Sequence, residues 1–288
     1  MELGIHFSNF TLPGGAAALA PALSNTARAA EDGGVSLFTL MDHWFQMESL
    51  ATSYDPMLEG YTSLGFLAGQ TSRMRLGLLV TGVTYRHPGL LAKIVTTLDV
   101  LSEGRALLGI GAAWYEREHL GLGVPYPGIS ERFERLEETI QICRQMWSTN
   151  DGPFEGTHYQ LAETICQPQP IQNPVPILIG GSGEKKTLRL VAQYGSACNL
   201  FDFGLEGVQH KLEVLKGHCD DLGRDFDAIE KTLIVSNEKF DNPDQLLADM
   251  QQYSAMGISL VTTSPAAPDP AGWVSRVTET VLPRLKQL

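Results

Sequence analysis

The feature that most limits how this 288-residue chain can fold is an alternation of short β-rich runs with amphipathic stretches, repeated eight times. The runs LGIHF, SLFTLM, RLGLLV, RALLGIG, VPILIGG, SACNLF, KTLIVSN and ISLVTT read as strands, and a helical pattern follows each. Eight βα units in a chain of this length predict an α/β fold, a (β/α)8 TIM barrel; an open doubly wound sheet with extra strands would read similarly. The helices are expected to end near Asp32, to start near Pro56, Pro88 and Pro243, and to run from about Ser130 to Trp147 and from Ala271 to Leu285. In the long helix Phe133, Leu136, Ile140 and Cys143 recur at three and four residues, predicting a core face, with Arg132, Glu137 and Gln141 facing away. From Asn150 to Pro174 turn residues and a possible hairpin break the rhythm, which reads as an insertion before strand five. No linker or internal repeat divides residues 1–288, so one domain is expected.

Composition removes several classes of function. A hydrophobic content of 43% with 19% charged residues is that of a globular chain rather than a disordered one. The net charge of −12 is scattered, without a basic block or an acidic tail, which argues against nucleic-acid and membrane-surface partners. Cys143, Cys166, Cys198 and Cys219 have no paired spacing and predict reduced, buried thiols. The start MELGIHFSNF lacks a basic region followed by an apolar core, so a cytoplasmic protein is expected. The seven histidines form neither a His-x-His nor a His-Glu-x-x-His spacing, so no metal centre is expected, and the serine of GGSGE is not in a nucleophile elbow.

In a barrel of this kind chemistry sits at the carboxyl ends of the strands, here Asp42 and His43, Thr81 to His87, Gly111 to Tyr115, and Gly180 to Lys185. VPILIGGSGEKK passes from a strand through Gly180, Gly181, Ser182 and Gly183 into a helix, where free amides and the helix dipole form an anion socket. A P-loop would need glycine at Lys185 and the dinucleotide fingerprint a wider glycine spacing; a plain tight turn is the alternative. In LMDHWF, Asp42 and His43 suit acid/base work, against a rim histidine held by hydrogen bonds. Gly109 and Gly111 in GIGAAW form a small-residue strand end that lets something flat approach the backbone. Arg86 and His87 read as helix caps or carbonyl ligands.

The stretch VTGVTYRHPGLLAKIVTTLDVLSEGRALLGIGAAWYEREHLGLGVP, with DHW, FERLEETIQICRQMW, FEGTHYQL and PQPIQNPVPILIGGSG, resembles the luciferase-like flavin and deazaflavin oxidoreductases over nearly the whole chain. The resemblance implies a TIM barrel holding a flavin-type ring at its carboxyl face, with the cofactor phosphate at Gly180, Gly181, Ser182 and Gly183. It implies a strand-three bulge with a non-proline cis peptide near Leu78, Leu79 and Val80, and a cofactor-adjacent segment at Gly111, Ala112 and Ala113. Asp42 and His43 match the acid and histidine beside ring and substrate, with His43 moving a proton or positioning substrate and Asp42 supporting. The pattern is closer to members using coenzyme F420 than to those using FMN. The shared phosphate cannot separate the two; Lys185 and Lys186 suit the acidic deazaflavin tail, although solvated lysines at a helix start are common. Trp114 stands where sugar-phosphate dehydrogenases of the family carry a catalytic glutamate, which puts that activity in doubt. The function implied is hydride transfer between coenzyme F420 and an organic substrate in a homodimer. An FMN-dependent monooxygenase and a non-catalytic barrel binding a cofactor or phosphorylated ligand are the alternatives. The pocket wall is expected from Trp44 to Tyr54 and from the insertion.

Overall fold

A computed structural model describes residues 1–288. The strands are β1 (Glu2–Phe7), β2 (Leu37–Leu40), β3 (Arg75–Leu78), β4 (Ala106–Gly111), β5 (Ile177–Gly180), β6 (Ala197–Phe201), β7 (Glu230–Val235) and β8 (Ile258–Thr263). Each pairs in parallel with its neighbours in chain order, β1 pairs with β8, and the ring is closed. This is the (β/α)8 barrel that the alternation predicts, with strands buried on both faces, as the apolar runs require.

The helices are α1 (Ala16–Asp32), α2 (Gly60–Ala68), α3 (Pro88–Leu101), α4 (Glu116–Leu122), α5 (Ile129–Met146), α6 (Thr187–Tyr194), α7 (Gly204–Leu222), α8 (Pro243–Ala255), α9 (Pro270–Thr280) and α10 (Leu282–Leu285). Three boundaries differ from the sequence reading, each for a local reason. The second helix opens at Gly60, not near Pro56, because the Glu59 carboxylate caps the amides of Tyr61 and Thr62 at 3.3 and 2.6 Å. The last helix is split at Val281, just ahead of Pro283. The glycine turn after β5 does not enter a helix directly: Glu184–Lys186 form a turn and α6 begins at Thr187.

In α5 the core face is Leu136, Thr139, Ile140 and Cys143, but Arg132 does not face away. It is buried, stacks over Tyr126 and donates to the carbonyls of Ala112 (3.1 Å) and Pro127 (2.6 Å). The chain end of β4 is thereby fixed to α5. The insertion does contain a hairpin, Phe154–Glu155 with Gln160–Leu161. Its turn is held on the Glu138 carboxylate of α5, which accepts from the amides of Thr157 (2.6 Å) and Tyr159 (3.0 Å). The return to β5 is held by buried Asp99 of α3, which accepts from the amides of Ile171 and Gln172 at 2.7 and 3.0 Å. All four cysteines are buried and unpaired, and no helix is long and apolar enough to cross a membrane.

Apolar side chains between ring and helices form the main core. A separate cluster of Leu37, Leu107, Leu178, Ala197 and Leu260 draws on five strands and fills the ring, with Leu79 and Val80 packed on it. Whatever sits above Leu79 and Val80 rests on a rigid floor.

Candidate active site

A cavity of about 560 Å³ opens at the carboxyl ends of the strands. Asp42, His43, Leu79, Val80, Gly111, Ala112, Ala113, Gly180 and Gly181 all line it, while Ser182 and Gly183 stand just beyond in the turn after β5. Residues read from four separate strand ends thus converge on one space. The insertion contributes nothing to the lining, contrary to expectation, because its anchors on Glu138 and Asp99 keep it on the outer side of α3 and α5. The loop after β2 does contribute, through Met47 and Leu50.

The cavity floor follows from a register shift. Gly77 pairs with Leu107 and Thr81 with Ile110, so Leu78, Leu79 and Val80 span the stretch that Leu108 and Gly109 cover on β4. One extra residue makes a bulge, and the Leu79–Val80 peptide within it is cis. The bulge turns the Val80 side chain across the neighbouring strand ends. A Cβ on Gly111 or Gly180 would stand 2.9 or 2.7 Å from a Val80 methyl, and one on Gly109 would stand 2.0 Å from the Leu78 carbonyl oxygen. What comes close to these glycines in the structure is the chain's own bulge, Val80 and the Leu78 carbonyl, while Gly111 and Gly180 also line the cavity. The glycines leave room for Val80 to form part of the cavity floor.

The turn after β5 has the character of an anion socket. Gly181 lies at φ +111°, a conformation that glycine adopts readily. Its amide reaches the Asn199 carbonyl at 3.3 Å, so it is partly spent inside the protein. The amides of Ser182, Gly183 and Glu184 have no protein acceptor, and the buried Ser182 hydroxyl has no partner. The Thr187 hydroxyl leans into the same turn, 2.9 Å from where a Gly183 side chain would begin, and Thr187 lines the cavity. A buried orphan hydroxyl and a run of free amides ahead of a helix match a phosphate ester.

His43 is set by a residue that sequence reading missed. Glu118, in the first turn of α4, is fully buried and accepts from His43 Nδ1 at 2.8 Å and from the amides of Trp44 and Phe45 at 2.7 and 3.2 Å. The Tyr85 hydroxyl also donates to it. Burial pushes the Glu118 carboxyl up, but the bonds from His43, Tyr85 and Trp44 outweigh it and hold the group below its ordinary range. Tyr85 is pushed far above the usual phenol range by burial and by Glu118, so it stays a donor. An ionised carboxylate only accepts, which places the His43 proton on Nδ1 and leaves Nε2, without a protein partner, as the atom able to exchange a proton.

Asp42 is differently employed. Arg86 grips both of its oxygens at 2.7 and 2.9 Å, and the Gly82 amide donates to it at 3.1 Å. Burial raises the Asp42 carboxyl against the pull of Arg86 and Gly82, while Asp42 holds the guanidinium charged. With both oxygens taken, Asp42 ties the end of β2 to the chain leaving the bulge. Arg86 is therefore an ion-pair partner rather than a cap, whereas His87 does cap α3 through the Gly89 amide at 3.3 Å.

His6 also lines the cavity. Burial, with the adjacent His43, pushes its imidazole down to about 4, and its Nδ1 pairs with the Thr39 hydroxyl at 3.0 Å. The unfolded chain takes up this proton near 6.5, so between about 4 and 6.5 the unfolded state binds more protons than the folded one. The stabilisation is complete above the unfolded value and falls as the pH drops toward the folded one, by up to about 3 kcal/mol. Urea unfolding at neutral and at mildly acid pH should show this loss in the parent and a smaller loss in His6→Gln. An equal loss in both would remove His6 as its source.

Single-sequence reading had little access to Glu118, an α4 residue whose partners come from the loop after β2 and from Tyr85, between the bulge and α3. Asn199 left a stronger trace: a lone amide in the apolar run ACNLF, it is buried, accepts from the Thr232 hydroxyl at 2.9 Å and lines the cavity.

Comparison with known proteins agrees with this architecture. An F420-dependent glucose-6-phosphate dehydrogenase of Kineococcus radiotolerans is 29% identical over 248 residues, covering 82% of this chain and 69% of that protein. A pyrimidine monooxygenase of Acinetobacter baylyi is 28% identical over 211 residues, covering 70% of this chain and 54% of that one. Among solved structures, the coenzyme F420-dependent tetrahydromethanopterin reductase of Methanopyrus kandleri superposes with a TM-score of 0.80 at 16% identity, covering 99% of each chain. A long-chain alkane monooxygenase superposes with a TM-score of 0.84 at 13% identity, covering 100% of this chain and 91% of that one. At such identities these structures speak for the fold. The family model described as luciferase-like monooxygenase matches residues 1–275, so nearly every barrel element described above falls within the match and the chain belongs to that family of enzymes.

Proposed function

We propose that this enzyme transfers a hydride between coenzyme F420 and an organic substrate. The observation that carries the reading is that the unpaired Ser182–Glu184 turn, flanked by the cavity-lining Gly181 and Thr187, borders the same cavity as the Glu118-oriented His43. Sequence relatives named as F420-dependent support it. Bound deazaflavin would supply hydride chemistry that side chains lack. The chain would supply the rest. Ser182, Gly183 and Thr187 would hold the phosphate, Val80 and Leu79 would support one ring face, and Ala112 and Ala113 would flank it. His43 Nε2 would take or give the substrate proton while Glu118 holds the ring in place.

Beside the phosphate turn, Lys185, Lys186 and Arg189 line a shallow groove. Three cations against the two carboxylates Glu134 and Glu137 leave the groove with a net positive charge, which suits the acidic tail of coenzyme F420. FMN has no such tail, and this favours the deazaflavin.

Titration with oxidised F420 and with FMN, followed by turnover with and without oxygen, tests the reading. Tight F420 binding with oxygen-independent turnover is expected. Preference for FMN with oxygen-dependent product would make the enzyme a monooxygenase, and binding without turnover would make it a carrier. Glu118→Gln should lower kcat by about 10- to 100-fold and leave F420 affinity within about threefold, because Glu118 acts through His43. An unchanged kcat would show that His43 needs no such support.

A further inference from the structure

Resting on the phosphate reading of the turn after β5, we infer that α7 clamps this turn from outside the barrel, with Lys211 and His218 acting through Glu184 as positioning residues for the phosphate. Glu184 is the residue that needs explaining. It ends the run of free amides, and a carboxylate beside an anion socket would repel the ligand unless its charge were drawn elsewhere.

The charge is drawn to α7. Lys211 Nζ and His210 Nε2 both reach Glu184 Oε1, the histidine at 3.1 Å, and the bond from Lys211 holds the carboxyl below its ordinary range. The same residue is held a second time. Its backbone carbonyl accepts from His218 Nε2 at 2.8 Å, and since a carbonyl only accepts, that nitrogen carries its proton. Lys211 and His218 stand about two turns apart on α7, so Glu184 is gripped at two separated points.

Other supports of the turn lie at its ends. The Gly181 amide reaches the Asn199 carbonyl at 3.3 Å and the Leu188 amide reaches the Gly183 carbonyl at 3.0 Å, while Lys186 Nζ donates to Ser130 Oγ at 3.0 Å. Asn199 and α7 belong to the same βα unit, which therefore holds the turn at Gly181 and again at Glu184. Glycines at 181 and 183 would otherwise leave this backbone free, and ordering it on binding would cost affinity. A turn fixed beforehand avoids that cost.

Peptide geometry carries the clamp to the socket. The Glu184–Lys185 bond is trans, so its carbonyl and its N–H point in opposite directions. Because His218 draws the carbonyl toward α7, the Lys185 amide faces away from α7, and it too lacks a protein acceptor.

The test titrates the full chain with the deazaflavin riboside bearing a terminal phosphate and with the same riboside lacking it. The ratio of the two affinities reads the phosphate grip alone, because a general loss of stability or of ring binding moves both ligands alike. Lys211→Met and His218→Leu should each lower that ratio about tenfold, with affinity for the unphosphorylated riboside kept within about twofold. His218→Gln, which keeps an N–H at similar reach, should return the ratio to within about threefold of the parent. Lys216→Met removes the same charge from an exposed position of α7 paired to Asp220 at 3.8 Å, and should leave the ratio as it is. An unchanged ratio in Lys211→Met and His218→Leu, no recovery in His218→Gln, or an equal fall in Lys216→Met would overturn the clamp alone. A parent protein that binds both ribosides equally would instead overturn the phosphate reading beneath it.

Discussion

Replacement of His43 by alanine should lower kcat by about 10²- to 10⁴-fold, the range that a positioned acid or base contributes, while F420 affinity stays within a few-fold of the parent. The two effects separate because the phosphate turn and His43 stand on different strand ends, after β5 and β2. His43 also has a defined tautomer: its Nδ1 is consumed by Glu118 at 2.8 Å, so the variant removes the Nε2 atom proposed to exchange the proton. Stopped-flow single turnover would show the deficit in the hydride-transfer phase. A variant that binds cofactor and turns over like the parent would take His43 out of the reaction. One that loses cofactor affinity in proportion would make it a binding residue.

The second large effect is on stability. Gly109→Ala should destabilise the barrel by about 3 kcal/mol, the upper end of the usual range for overpacking a core, because the new methyl would stand 2.0 Å from the Leu78 carbonyl oxygen. Backbone at the bulge cannot yield without disturbing Val80, whose methyls already press on Gly111 and Gly180. Gly217→Ala is the matched control: in α7 the added methyl meets nothing within 4 Å, and the change should stabilise by up to about 1 kcal/mol. Denaturant midpoints with equal slopes would measure both. If Gly109→Ala proved neutral, the bulge would be softer than the register of β3 and β4 indicates.

The difference between those glycines marks what a single sequence can and cannot reveal. Barrel, strand order and the face that carries the cavity were legible because eight apolar runs at regular spacing leave few alternatives, and because a glycine run between strand and helix has a local meaning. His43 and the turn were legible for the same reason, each being a feature of adjacent residues. Glu118, Arg86 and Arg132 were not. Glu118 serves His43 across 75 positions and Arg132 serves Ala112 across 20, and pairings of that kind are set by the ring rather than by any local pattern. Periodicity even misdirected Arg132, since a helix period assigns a charged residue to solvent, whereas here it is buried on two carbonyls. Gly109 and Gly111 showed that something comes close, but only the bulge reveals that it is Val80 and the Leu78 carbonyl.

The proposed function rests most on backbone amides of the turn after β5 gripping a cofactor phosphate. Equilibrium titration with the deazaflavin riboside bearing a terminal phosphate, against the same riboside without it, measures that grip directly and leaves the acidic tail out. The amides of Ser182 and Gly183 and the Ser182 hydroxyl should make the phosphorylated form bind at least about 100-fold more tightly. Equal affinity for the two would contradict the account.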